Sequence, residues 1–231
     1  MLDLTVGTDT YGKVKSVGGM PIVTHFRMLH FLPLFPLTSY YCVTTTRYEE
    51  SLPFSGGIHE AVVEGFPLAK CDKTSVVMAY ARGLFAALTV LGFIGSIFTV
   101  ITYFSSGLDT FGLYAMRGAL SSLAIGAILG LATYFIPTTN WRERQLRREC
   151  GSFLGHCIDP ARLTVDAANY VLQFTDQPPT NLAANFERCA LLEELIKTRV
   201  QIAIARESNP RVIEELEDES HSILIQLDLT N

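Results

Sequence analysis

The side chains of this chain best suited by type to do chemistry are its five cysteines, Cys42, Cys71, Cys150, Cys157 and Cys189, and its five histidines. Cys150, His156 and Cys157 are the cluster in sequence that combines both types, and thiolate and imidazole are the usual ligands of zinc. Structural zinc sites, however, draw on two short-spaced pairs such as CxxC, and no such pair occurs. The expectation is therefore buried free thiols and no metal or cofactor, with Cys150, His156 and Cys157 as the nearest approach to a metal site. His25 and His30 form no HExxH or related arrangement. Asp166 and Asp176 would need a cleft that sets their pKa values apart to act as an acid/base pair. The run EELEDES, Glu214 to Ser220, has five acids in seven residues but lacks the spacing and glycine of an EF-hand loop, and reads as a solvated helix face. No P-loop, no GxGxxG after a strand and no GxSxG elbow is present. These absences make an enzyme the less expected reading.

The elements that would position these residues are dominated by apolar sequence. Of 231 residues 48% are hydrophobic and only 18% charged, against about 25% charge in ordinary soluble domains. The mean hydropathy is +0.27. A net charge of −5 argues against nucleic acid as a partner, which calls for a basic field. The apolar excess is concentrated. No charged residue occurs from Gly83 to Leu108 or from Gly118 to Trp141. Each run meets the roughly 20 helical residues that a bilayer core requires, and neither has the polar face of a soluble helix. The sequence predicts membrane spans over about 82–104 and 113–136, joined by about eight residues and therefore antiparallel. The lipid bilayer is the first expected partner.

Lys70, Lys73 and Arg82 precede the first span, and Arg142, Arg144, Arg147 and Arg148 follow the second, whereas the loop SSGLDTFG has no Lys or Arg. The positive-inside rule then places both termini in the cytoplasm, at the cell membrane, with these seven cations flanking its inner face. Arg117 lies about a turn inside the outer end of the second span and is expected to snorkel outward, with pairing to Asp109 or an anionic lipid head as the functional alternative. The first dozen residues carry two acids and no basic cluster, so no cleavable export signal is read there. Within the second span Gly118, Ser122, Gly126 and Gly130 recur every four residues and form a small-residue face that lets another helix approach. Whether that helix belongs to the same chain or a second copy is left open by spacing alone. Neither span carries a central acid, His, Asn or Gln, which disfavours an ion or proton pathway.

Residues 1–78 read as a small β-rich, membrane-proximal domain. Ile22, Thr24, Phe26 and Met28 alternate with Val23, His25 and Arg27, as in a strand with one exposed face. YYCVTTT (Tyr40 to Thr46) reads as a second strand, Ala61 to Val63 as a third, and Gly18-Gly19 and Ser55 to Gly57 as turns. FLPLFPL (Phe31 to Leu37) is too short and too proline-broken to span as a helix, and reads either as a loop in the sheet's core or as a wedge on the inner leaflet. Residues 142–231 turn to helix formers, with 10 Lys/Arg against 15 Asp/Glu, which accounts for the whole chain's net charge. Asp159-Pro160 predicts a helix start running to about Phe174, a longer helix follows over about 182–207, and another begins at Pro210. The tail ILIQLDL alternates and reads as a short strand or a helix end.

The expected architecture is thus an integral membrane α+β chain: a β-rich segment over 1–78, a two-helix transmembrane hairpin within 79–141 and a helical cytoplasmic domain over 142–231. The expected role is a membrane-anchored, non-enzymatic scaffold or interaction protein. Its partner, a second copy or another protein, would bind through the glycine face or the C-terminal helices. The alternatives are a metal-dependent membrane enzyme or sensor and a small subunit of a transport complex.

Overall fold

A computed structural model describes residues 6–29, 32–50, 58–106, 110–136, 138–175, 186–206 and 208–230. His30, Asp109, Pro137, Asp176 and the turn at 55–57 lie outside them.

Four strands open the chain: β1 (Val6–Val17), β2 (Met20–Leu29), β3 (Leu32–Glu50) and β4 (Ile58–Pro67). They pair antiparallel in sequence order, and the sheet coils until β1 and β4 touch at Thr8 and Glu60. In β2 the alternation is expressed as burial: Ile22, Thr24 and Phe26 are sealed and Arg27 is exposed, although Val23 is buried too. β1 had no alternation to announce it. Its register shifts twice, and Gly12 and Lys15 take positive φ (71° and 49°). At Gly12 the chain needs glycine, because a Cβ would run into the Ser75 carbonyl of the following helix. The FLPLFPL stretch is neither a core loop nor a break. Its residues from Leu32 onward are the first part of β3, paired with β2, and Pro33 and Pro36 sit where the register shifts.

Among the described residues, α1 (Lys73–Ser106) and α2 (Thr110–Phe135) are the two helices long and apolar enough to cross a membrane. α1 begins well before its apolar run, and its 34 residues extend about 51 Å. Their contacts descend in antiparallel order: Gly95 meets Ala119, Gly92 meets Ser122 and Leu123, and Gly126 meets Thr89. Only about a tenth of either apolar stretch is buried, unlike the core helix of a soluble fold. Phe98, Ile128 and Phe135 are each about two-thirds exposed or more (67%, 67% and 76%). Every Ser and Thr from 83 to 102 and from 118 to 133 donates its hydroxyl hydrogen to a carbonyl three or four residues back in its own helix. No hydroxyl there needs water as an acceptor, which is the condition a hydrocarbon environment imposes.

α3 (Trp141–Leu154), a 3₁₀ turn at Pro160–Arg162, α4 (Val165–Thr175), α5 (Phe186–Ala205) and α6 (Pro210–Leu229) complete the chain. The start expected at Asp159-Pro160 produces one 3₁₀ turn rather than α4 itself. Leu163 is drawn into an antiparallel bridge with Leu68, and Ala69 donates its amide to the Arg162 carbonyl, so residue 163 is extended and the helix restarts at Val165. ILIQLDL is helical to Leu229, because Ile223 and Leu227, four apart, are the buried pair. One apolar core runs from Val14, Ile22 and Tyr41 of the sheet through Cys150, Leu163 and Val171 to Leu195, Ile196 and Ile223. α5 is its axis, with Leu192, Leu195, Ile196 and Val200 fully buried.

Candidate functional site

Where the sheet, the foot of α1, α3 and the 3₁₀ turn meet, the structure concentrates its buried polar groups. Asp72 caps α1, its Oδ1 accepting the Ser75 amide at 2.9 Å. Its own amide donates to Ser39 Oγ (3.0 Å). With Thr24 donating to Ser75 (2.8 Å) and Ser75 to the Gly12 carbonyl (2.7 Å), the 2.7 Å contact between Ser39 and Thr24 has one consistent direction, Ser39 donating. The three hydroxyls are fully buried and fully used, so this relay fastens β1, β2 and β3 to the first turn of α1.

On the other side of Asp72 stands a square of alternating charge. Asp72 Oδ2 lies 3.0 Å from Lys15 Nζ and 2.5 Å from Arg162 Nη2. Glu143 completes it, 3.4 Å from Lys15 and 3.0 Å from Arg162. Burial alone would raise the Asp72 carboxyl, but the Arg162 guanidinium, the Ser75 amide and the Lys15 ammonium together hold it below the ordinary carboxylate range. It is ionised at neutral pH and is no proton donor. Lys15 is the one non-glycine residue at positive φ among the described residues. That strained position is tied three ways: its amide donates to Thr138 Oγ1 (2.8 Å), its carbonyl accepts from Arg147, and its ammonium joins the square.

Two further arginines hold the helical layer. Arg147, fully buried, donates to the carbonyls of Cys157 (2.8 Å), Lys15 (2.5 Å) and Met20 (2.7 Å), with its guanidinium carbon 4.6 Å from the centre of the Tyr41 ring. Arg199 grips Asp159 through both carboxylate oxygens (3.0 and 2.7 Å) and reaches Ser220 on α6 at 3.2 Å.

These positions correct part of the sequence reading. Arg147 was expected to flank the membrane, yet it is sealed in the core by three backbone carbonyls. Arg82 is likewise engaged, through the Thr133 hydroxyl and carbonyl, the Lys13 carbonyl and the face of Tyr134, and braces the end of the hairpin next to the sheet. Lys70, Lys73, Arg142, Arg144 and Arg148 are exposed, as is Arg117. Cys150 is fully buried, whereas His156 is exposed with its ring 5.4 Å from that of Phe66. Among the described residues no three His, Cys, Asp or Glu side chains converge on a metal-binding point. Burial pushes the Cys150 thiol far up, which makes it inert as a nucleophile or thiolate ligand.

The small-residue face is divided. A Cβ at Gly126 would lie 2.6 Å from Thr89 Oγ1 and 2.8 Å from the Thr89 amide nitrogen, whereas one at Gly118 meets nothing within 4 Å. Ser122 approaches Gly92, and Gly130 faces Phe85 more loosely. Gly126→Leu is therefore expected to destabilise the hairpin within one chain by about 1–3 kcal/mol, read as a lower melting temperature in detergent. Gly118→Leu should leave that temperature unchanged.

The fold and site define an α+β chain whose buried charges lock a coiled sheet and a helical layer onto the foot of two long apolar helices. Compared with protein-family models, with curated proteins and with solved structures, the chain finds no match.

Proposed function

We propose that the chain is a membrane-anchored, non-enzymatic interaction protein, with α1 and α2 spanning the cell membrane and both termini in the cytoplasm. The observation that carries this reading is the apolar exterior of α1 from Leu84 to Ile101 and of α2 from Leu120 to Phe135. That surface extends onto β3: Leu34, Phe35 and Leu37 are exposed, Tyr80 Oη donates to the Leu34 carbonyl (2.7 Å), and Gly83 packs on Pro33. The exposed strand thus stands beside the start of the first uncharged run, where it would rest on the inner leaflet as a wedge. The exposed cations Lys70, Lys73, Arg142, Arg144 and Arg148 lie on the segments leading into and out of the hairpin, which supports cytoplasmic termini. The acids of α6, Glu214 to Glu219, face outward and offer the helical layer as the partner surface.

The test is reconstitution of the Trp141→Phe, Phe35→Trp chain, with its tryptophan at position 35 alone, into vesicles containing brominated lipid. The chain is expected to float with the vesicles, to resist carbonate extraction and to show quenched tryptophan fluorescence. Recovery in the soluble fraction would remove the anchor, and flotation without quenching would remove the wedge alone. In cells, a cysteine introduced at Gly107 should react with an impermeant maleimide from outside; labelling only after lysis would reverse the orientation. Cross-links from the helical layer to a second chain are expected in native membranes, and purely intramolecular ones would argue against the interaction role.

A further inference from the structure

Beside the charge square lies an open pocket of about 420 Å³, lined by Lys15, Lys70, Lys73, Arg162, Arg206 and Asp72 among others. Its cations come from five separate places: β1, the β4–α1 linker, the first residue of α1, the 3₁₀ turn and the residue that follows α5. Lys15 and Arg162 share the carboxylates of Asp72 and Glu143, which two cations and two anions neutralise among themselves. Lys70, Lys73 and Arg206 are surplus: among the described residues none has a carboxylate partner. Three cations drawn to one concavity repel one another, and the C-terminal segment that supplies Arg206 is otherwise acidic.

We propose that this pocket is a binding site for a phosphate-bearing anion. A multivalent phosphate is the ligand that relieves the surplus charge. Arg206 supplies a planar fork for two oxygens, and Lys70 and Lys73 supply ammonium groups that adapt to its remaining oxygens. Asp72 is kept from repelling the ligand because its Oδ2 charge is already held by Lys15 and Arg162 and its Oδ1 by the Ser75 amide. Lys73 stands nine residues before Arg82 in one helix, about 13 Å along its axis. A headgroup layer is about 5–8 Å deep. The site therefore takes either a soluble phosphate ester or a lipid headgroup whose extra phosphate projects beyond the layer. It stands on the pocket's own charges, whatever the role of the helical layer.

Cys71 lines the same pocket and is partly exposed, so its thiol reports occupancy. The full chain in phosphatidylcholine nanodiscs is labelled with maleimide, and modification of Cys71 is followed by peptide mass spectrometry while inorganic pyrophosphate is added. A second arm uses nanodiscs containing phosphatidylinositol 4-phosphate. Saturable protection of Cys71 by pyrophosphate identifies a soluble phosphate site, and protection only in the phosphoinositide discs identifies a headgroup site. The Lys73→Gln, Arg206→Gln variant is expected to raise the half-saturating concentration roughly tenfold or more, while Arg211→Gln, outside the pocket, leaves it unchanged. No protection in either arm overturns the proposal, as does protection that the double variant retains in full.

Discussion

Replacing Arg147 with methionine is expected to destabilise the protein by about 3–5 kcal/mol. Two effects oppose each other. Removing the guanidinium relieves the cost of burying a charge, which is large here because among the described residues no carboxylate pairs with it. It also removes the shared donor of three carbonyls, the buried one of Met20 and the part-buried ones of Lys15 and Cys157, and a buried acceptor left without a donor costs about 1–3 kcal/mol. Arginine is always charged and solvates itself with those carbonyls and the Tyr41 face, so most of its burial cost is already offset in the wild-type fold. The stranded acceptors win. For a chain of this size the loss corresponds to a fall in melting temperature of roughly 10 °C, measured by circular dichroism in detergent. Arg147→Lys should recover only part, since one ammonium cannot reproduce a three-way fork. An unchanged melting temperature for Arg147→Met would mean that water replaces the guanidinium at little cost. The carbonyls belong to β1, β2 and the segment after α3, so the loss should also expose that segment, residues 155–158, to proteolysis.

The second large effect belongs to Asp159. Asp159→Ala leaves Arg199 buried against α6 without its carboxylate and removes the cap of the 3₁₀ turn. Breaking one side of a buried pair costs about 3–5 kcal/mol. The double variant Asp159→Ala, Arg199→Met should recover much of this, because no uncompensated charge remains; equal instability of single and double variants would place the cost in the lost cap. The same carboxyl gives the protein an acid limit. Burial raises Asp159, but the Arg199 guanidinium and the Ala161 amide pull it further down, and Asp72 is depressed in a similar way. Both folded-state values lie below the unfolded ones, so the unfolded chain binds more protons in acid. Their stabilisation is complete above the ordinary carboxylate pKa of about 4 and is lost as pH falls below it. Melting temperatures should hold from pH 7 to 5 and drop steeply below 4. In Asp159→Ala that acid dependence should be shallower.

Much of this architecture was legible in the chain. The two apolar helices follow from uninterrupted composition over some twenty residues, a property that needs no knowledge of neighbours. The face Ile22–Thr24–Phe26 and the Asn209-Pro210 start are similarly local, the latter made by Asn209 accepting the Arg211 amide. Asp72, three residues before Ser75 and ahead of the apolar run, is a capping residue whose type and place are readable in the sequence. β1 was unreadable because two glycines and two lysines dilute its pattern, and its bends are imposed by Ser75, more than sixty residues on.

What sequence alone determined is what each residue demands of its nearest neighbours and its solvent: the uncharged runs, the strand alternation, the helix caps and the acidic tail. Tertiary structure decided which charges face outward. Arg147 and Arg148 are adjacent in a segment rich in arginine, yet one is sealed among three carbonyls and the other is exposed, because α3 turns one face to the sheet. It also decided that Lys15, Asp72, Glu143 and Arg162 would meet and that Arg206 would line the pocket beside them. Coulombic attraction depends on distance in space, and no spacing along the chain encodes that these five would share one corner of the fold.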